Sequence, residues 1–106
     1  MLDIKRIRDS FEEVAEGLRR RGADLALAET ARDLDVRRRA LVTQTDELKT
    51  LRNSRSKEIG ALKKAGQNTD GVQADVRAIG DRILALDAEI RQVEEALEAA
   101  MLRIPN

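Results

Sequence analysis

Apolar residues recur at alternating steps of four and three along the second half of the chain: Val72, Val76, Ile79, Ile83, Leu86, Ile90, Val93, Leu97, Ala100 and Ile104. That spacing is the seam of a long helix packed on a partner helix. The first half carries the mirror pattern, read backward from Leu62 through Ile59, Arg55, Arg52, Leu48, Thr45, Leu41, Arg38 and Leu34 to Ala31. Leu62 pairs with Val72, Leu48 with Leu86 and Ala31 with Ile104, and the residue numbers of each pair add to 134 or 135. A constant sum requires an antiparallel pair, so the partner helix lies in the same chain and the turn falls near Gln67. The pattern predicts an all-α fold, a long antiparallel two-helix coiled-coil hairpin.

A short N-terminal helix is expected over 1–22, packed at the base of the hairpin. Ile4, Ile7, Phe11, Val14 and Leu18 fall on one face of it,. Ser10 and Glu13 have the spacing of a capping box, and Gly22 after Arg19, Arg20 and Arg21 reads as a C-terminal stop,. The first arm helix is placed at 27–65, the tip turn at 66–71 and the second arm helix at 72–102. Residues 103–106, with Pro105, read as the start of a linker. The first arm helix puts Arg38, Thr45, Arg52 and Arg55 on its seam, where aliphatic stems cover the partner while charged heads reach water. Leu51 competes with Arg52 for the seam, so packing is expected to be weaker over 51–58 than near Leu41. Gly60 and Gly80 each cost about 1 kcal/mol relative to alanine inside a helix.

Composition narrows the possibilities. The chain of 106 residues is 38% charged, with one aromatic, Phe11, and one proline. That suits one domain of long exposed helices rather than a globular core. The absence of cysteine and histidine excludes disulfides, thiol chemistry and the usual zinc ligands,. With no signal-peptide run and no segment of membrane-spanning length, a cytoplasmic location and no membrane partner are expected.

Net charge is zero overall but unevenly spread. Lys49–Lys64 holds six basic residues (Lys49, Arg52, Arg55, Lys57, Lys63 and Lys64) against Glu58 alone, a net +5. Asp70–Glu98 holds eight acids and three bases, a net −5. Basic residues along one helical edge suit contact with a phosphate backbone. The competing reading is salt bridging between the two helices. With no aromatic available for base stacking, duplex backbone and groove shape are favoured over single strands. Arg19–Arg21 suit a helix C-terminus, and Arg37–Arg39 face several directions near the base. Catalytic constellations are lacking: there is no phosphate-binding glycine loop, and Ser54, Ser56, Thr43 and Thr45 have no histidine to activate them. Glu94-Glu95 lies on a helix surface with no pocket to shift its ionisation. No catalytic residue and no metal ligand is therefore expected.

Four stretches resemble one family. Met1-Leu2-Asp3-Ile4-Lys5-Arg6-Ile7-Arg8, before a helix ending Arg20-Arg21-Gly22, is similar to the start of the N-terminal domain of bacterial-type seryl-tRNA synthetases. Leu51-Arg52-Asn53-Ser54-Arg55-Ser56-Lys57-Glu58-Ile59-Gly60 resembles its Arg-Asn-x-x-Ser-Lys-x-Ile-Gly stretch. A polar turn follows, and Leu102-Arg103-Ile104-Pro105-Asn106 is similar to the junction with the catalytic domain. The resemblance implies an arm that binds serine tRNA at its long variable arm and elbow, by shape and without reading the anticodon. It implies a homodimeric parent whose class II catalytic domain, absent here, uses ATP and magnesium; the fragment itself needs no cofactor and is expected to be a monomer. Arg52, Asn53, Ser56 and Lys57 match the motif and are expected to bind RNA; Arg55, Lys63 and Lys64 join them on charge. A coiled-coil hairpin that docks a protein partner is the alternative.

Overall fold

The computed structural model describes residues 3–20 and 25–104. Among these it holds four helices and no strand: α1 (Ile4–Asp9), α2 (Phe11–Arg20), α3 (Leu25–Lys64) and α4 (Asp70–Arg103). The expected stop at Gly22 and the proline at Pro105 lie outside the described residues. α3 and α4 are the two arm helices, each extending past the predicted bounds by no more than two residues at any end but its tip, where α3 ends one residue early. The chain forms two compact units, residues 1–40 with 90–106, and residues 41–89.

In the first unit, the single N-terminal helix expected over 1–22 is instead two. Ser10 divides them with φ −134° and ψ 42°, outside the helical region,. Its N–H donates to the Arg6 carbonyl at 2.9 Å, closing α1, and its carbonyl accepts from Val14 N at 3.1 Å, opening α2. Ser10 therefore stands at the helix start that the capping-box spacing marks, with Glu12 and Glu13 in the first turn,. Asp3 caps α1, its side chain accepting from Lys5 N at 3.0 Å,. Ile7, Val14 and Leu18 of these helices share one core with Ala28 and Ala31 of α3 and Leu97, Ala100, Met101 and Ile104 of α4. The small Ala28 and Ala31 leave room for the N-terminal helices to lie close on α3. Fully burying a side chain such as Ile7 stabilises by roughly 1.5–3 kcal/mol,.

In the second unit, the predicted seam is the buried stripe. Leu41, Thr45, Ile83 and Leu86 are buried, and Leu48, Arg52, Arg55, Ile59, Leu62, Val72, Val76 and Ile79 are half-buried. Thr45 is only 2% exposed, and its hydroxyl is satisfied by donating to the Leu41 carbonyl at 2.9 Å,. Leu51 is 40% exposed, so Arg52 takes the contested position and the seam thins toward the turn, as its polar content dictates.

The turn is built from paired caps. Gly66 has φ +70°, with its N–H bonded to the Lys63 carbonyl at 3.1 Å and Gln67 N bonded to the Leu62 carbonyl at 2.9 Å. This is the Schellman arrangement, which a glycine adopts without a Cβ penalty. Asn68 Oδ1 accepts from Asp70 N at 2.8 Å, and the Thr69 carbonyl accepts from Gln73 N at 2.9 Å. Gly71, expected in the turn, is instead the second residue of α4.

Candidate nucleic-acid interface

The seam fixes where every other α3 side chain lies around the helix. In heptad terms Arg52 and Ile59 hold position a, Leu48, Arg55 and Leu62 position d. Lys49, Ser56 and Lys63 then share position e, Asn53 and Gly60 position b, and Lys57 and Lys64 position f. Positions a, e, b and f follow one another around one side of a helix. Six of the seven predicted RNA-binding residues, Arg52, Asn53, Ser56, Lys57, Lys63 and Lys64, thus line one strip, and all but the half-buried Arg52 are exposed. Arg55 sits at d, beside the opposite edge, and donates to both oxygens of Glu58 at 3.1 and 3.2 Å. Lys49 belongs to the strip although the family motif does not reach it; its spacing of seven from Ser56 and fourteen from Lys63 is the signal that places it there.

Salt bridging to the acids of α4 would consume these bases. Among the described residues Lys49, Arg52, Lys57, Lys63 and Lys64 form no ion pair. The strip therefore presents cations whose counterions come from solvent, the arrangement that releases ions when a polyanion binds. Members of the other basic clusters are engaged within the protein. Arg19 and Arg20 both reach Glu16, at 3.5 and 3.4 Å, and Arg38 of α3 approaches Glu94 of α4 at 3.8 Å. Arg32 lies 4.1 Å from the centre of the Phe11 ring, a cation–π contact that holds α3 to the N-terminal helices,.

One charged pair escaped the sequence reading. Asp35 is 2% exposed and accepts both Arg8 Nε and Arg8 Nη2 at 2.8 Å. Ala28 and Asp35 share the e edge of α3 beside the seam position Ala31, and an acid seven residues after a buried alanine on that edge is the signal that points to it. The hydrogen bonds from Arg8 hold the Asp35 carboxyl below its ordinary value of 3.8, against the opposing effect of burial,. A depressed carboxylate stabilises fully above its unfolded value and loses that contribution as pH falls through its folded value. Arg8→Ala is therefore expected to lower the melting temperature by several degrees at neutral pH. The gap between wild type and variant should close as the solution is acidified below that range, and a gap independent of pH in thermal melts would contradict this.

Among the described residues no group of three or more histidine, cysteine, aspartate or glutamate side chains is placed to hold a metal ion. Among the described residues no helix is long and apolar enough to cross a membrane.

The chain matches the Seryl-tRNA synthetase N-terminal domain family over residues 1–106. It is 44% identical over its whole length to the serine–tRNA ligase of Listeria innocua and 47% identical to that of Carboxydothermus hydrogenoformans. A serine–tRNA ligase of Solibacter usitatus is 42% identical across the same span. The chain covers 25% of the length of each of these relatives. With the helices, the seam and a family match over every residue in agreement, the chain belongs to the seryl-tRNA synthetase N-terminal domain family.

Proposed function

We propose that this chain is the tRNA-binding arm of a serine–tRNA ligase, and that it recognises the long variable arm and elbow of serine tRNA through backbone and shape contacts. The observation that carries this reading is the strip of cations on α3, unpaired among the described residues, built by Lys49, Arg52, Lys57, Lys63 and Lys64 with Asn53 and Ser56 between them. Lysine and arginine neutralise phosphates, while asparagine and serine donate to phosphate and ribose oxygens. No aromatic side chain accompanies them, so the strip suits a duplex rather than splayed bases,. Arg55 contributes least, because Glu58 already engages it.

On this reading the ligation itself, with its ATP and magnesium, belongs to the remainder of a homodimeric parent, and this chain supplies reach and selection in the cytoplasm. A protein-docking hairpin would instead offer a contiguous apolar patch. The exposed Leu51 and Leu84 of the second unit fall on opposite flanks by heptad position and form no such patch.

Salt dependence tests the choice. Binding of this chain to serine tRNA should weaken steeply, with a log–log slope of roughly −0.7 to −0.9 for each phosphate neutralised. Binding that is insensitive to salt would contradict a backbone-reading strip.

A further inference from the structure

The six cations of the basic run on α3 are not alike in their partners. Lys49, Arg52, Lys57, Lys63 and Lys64 lie on the strip and form no ion pair among the described residues. Arg55 lies off the strip at d, and of the six it alone is paired. Its Nη1 donates to Glu58 Oε1 at 3.1 Å and to Oε2 at 3.2 Å. Glu58 is the one acid between Lys49 and Lys64. The single acid of the run thus neutralises the single cation that lies away from the strip.

Folding does not account for the pair. The side chains are 38% and 48% exposed, and an exposed ion pair three residues apart on a helix adds little stability,. Pairing between the helices does not account for Glu58 either. It holds position g of α3, and in an antiparallel pair the g edge of one helix flanks the g edge of the other. The seam register sets Glu58 level with Asp75, at g of α4. An acid thus stands level with an acid, where coiled coils ordinarily place opposite charges. Farther along this edge Leu51 is level with Arg82, and Gln44 with Glu89. At the level of Glu58 the g edge therefore offers two carboxylates and one neutralised guanidinium, while the strip on the other side offers cations with no such partner.

We propose that Glu58 is a specificity-determining residue, which masks Arg55 and with Asp75 closes the g edge of the hairpin to RNA. This rests on the RNA-binding reading above and adds to it a residue that acts against the wrong mode of docking. Specificity is a difference of affinities, and a repulsive element lowers the competing one. Without the Glu58 carboxylate, Arg55 becomes a free cation beside the g edge, with Asp75 alone against it. An RNA that lacks the shape to follow the strip could then hold to that edge through Arg55. With Glu58 in place the same RNA meets net negative charge there, and like-charge contact is penalised.

The test is a cycle of Glu58→Gln, Arg55→Met and the double variant against wild type. Glutamine removes the charge and keeps a good helix former, and methionine removes the charge of Arg55 while keeping an apolar stem over the seam. Each protein is melted, then titrated over a salt series with serine tRNA and with the same tRNA lacking its variable arm. Glu58→Gln should melt near the wild-type temperature. It should bind the shortened tRNA at least about threefold more tightly and narrow the preference for the intact tRNA accordingly. Its salt slope with the shortened tRNA should steepen by roughly 0.7–0.9, the contribution of one more phosphate. In the Arg55→Met background the same replacement should leave preference and slope unchanged. An unchanged preference in Glu58→Gln, or an equal gain with and without Arg55, overturns the masking and leaves the strip standing. Wild-type binding to intact serine tRNA that is insensitive to salt overturns the strip and the role of Glu58 together.

Discussion

Leu86→Asp is expected to abolish cooperative folding of the second unit. Leu86 is 1% exposed and lies in the seam opposite Leu48. Removing a buried leucine side chain costs about 2–5 kcal/mol in transfer and cavity terms. A carboxylate among apolar side chains adds a desolvation penalty of several kcal/mol unless it is neutralised. Against a total stability of about 5–15 kcal/mol for a domain, the sum is decisive. Ile83→Asp makes an instructive comparison. Ile83 is 4% exposed, but the seam register sets it opposite Arg52, whose half-buried guanidinium can turn toward a new carboxylate. The loss at position 83 should therefore be smaller than at position 86. Thermal melts followed by helical circular dichroism read both variants; an unchanged melting curve for Leu86→Asp, or a greater loss at position 83, would contradict the register.

Replacing Arg52, Lys57, Lys63 and Lys64 together with alanine is expected to weaken binding to serine tRNA by well over tenfold at moderate salt, with little loss of helix. If each cation neutralises one phosphate, the salt slope should flatten by about three units. The chain should stay folded, since three of these side chains are exposed and none of the four makes an ion pair among the described residues. Arg52 carries the largest structural share, because its stem covers part of the seam. A collapse of the helical signal would mean that the strip serves the fold. Arg55→Ala alone should change affinity far less, because Arg55 sits at d beside the opposite edge and its guanidinium is already engaged by Glu58.

The seam was open to sequence reading because a period of 3.5 residues and a constant pair sum leave few alternative topologies. The turn was readable at Gly66, whose positive φ nearly demands glycine, and misread at Gly71, which a helix start accommodates. The division at Ser10 was only half visible. Its capping signal was correctly located, but the apolar stripe from Ile4 to Leu18 runs on across the break and suggests one helix. The strip needed both levels: charge counting marked Lys49–Lys64, and only the seam phase separates Lys49 and Lys57 on one edge from Arg55 on the other. Asp35 shows what local pattern fails to report. Its burial depends on a helix that returns from 27 residues away, and charge alone reads it as surface.

The most direct measurement of the central claim compares serine tRNA with the same tRNA lacking its long variable arm, titrated with this chain at two salt concentrations. The account predicts salt-sensitive binding to the intact tRNA and a large loss of it when the variable arm is removed. Equal affinity for the two RNAs would contradict recognition of the variable arm by the α3 strip.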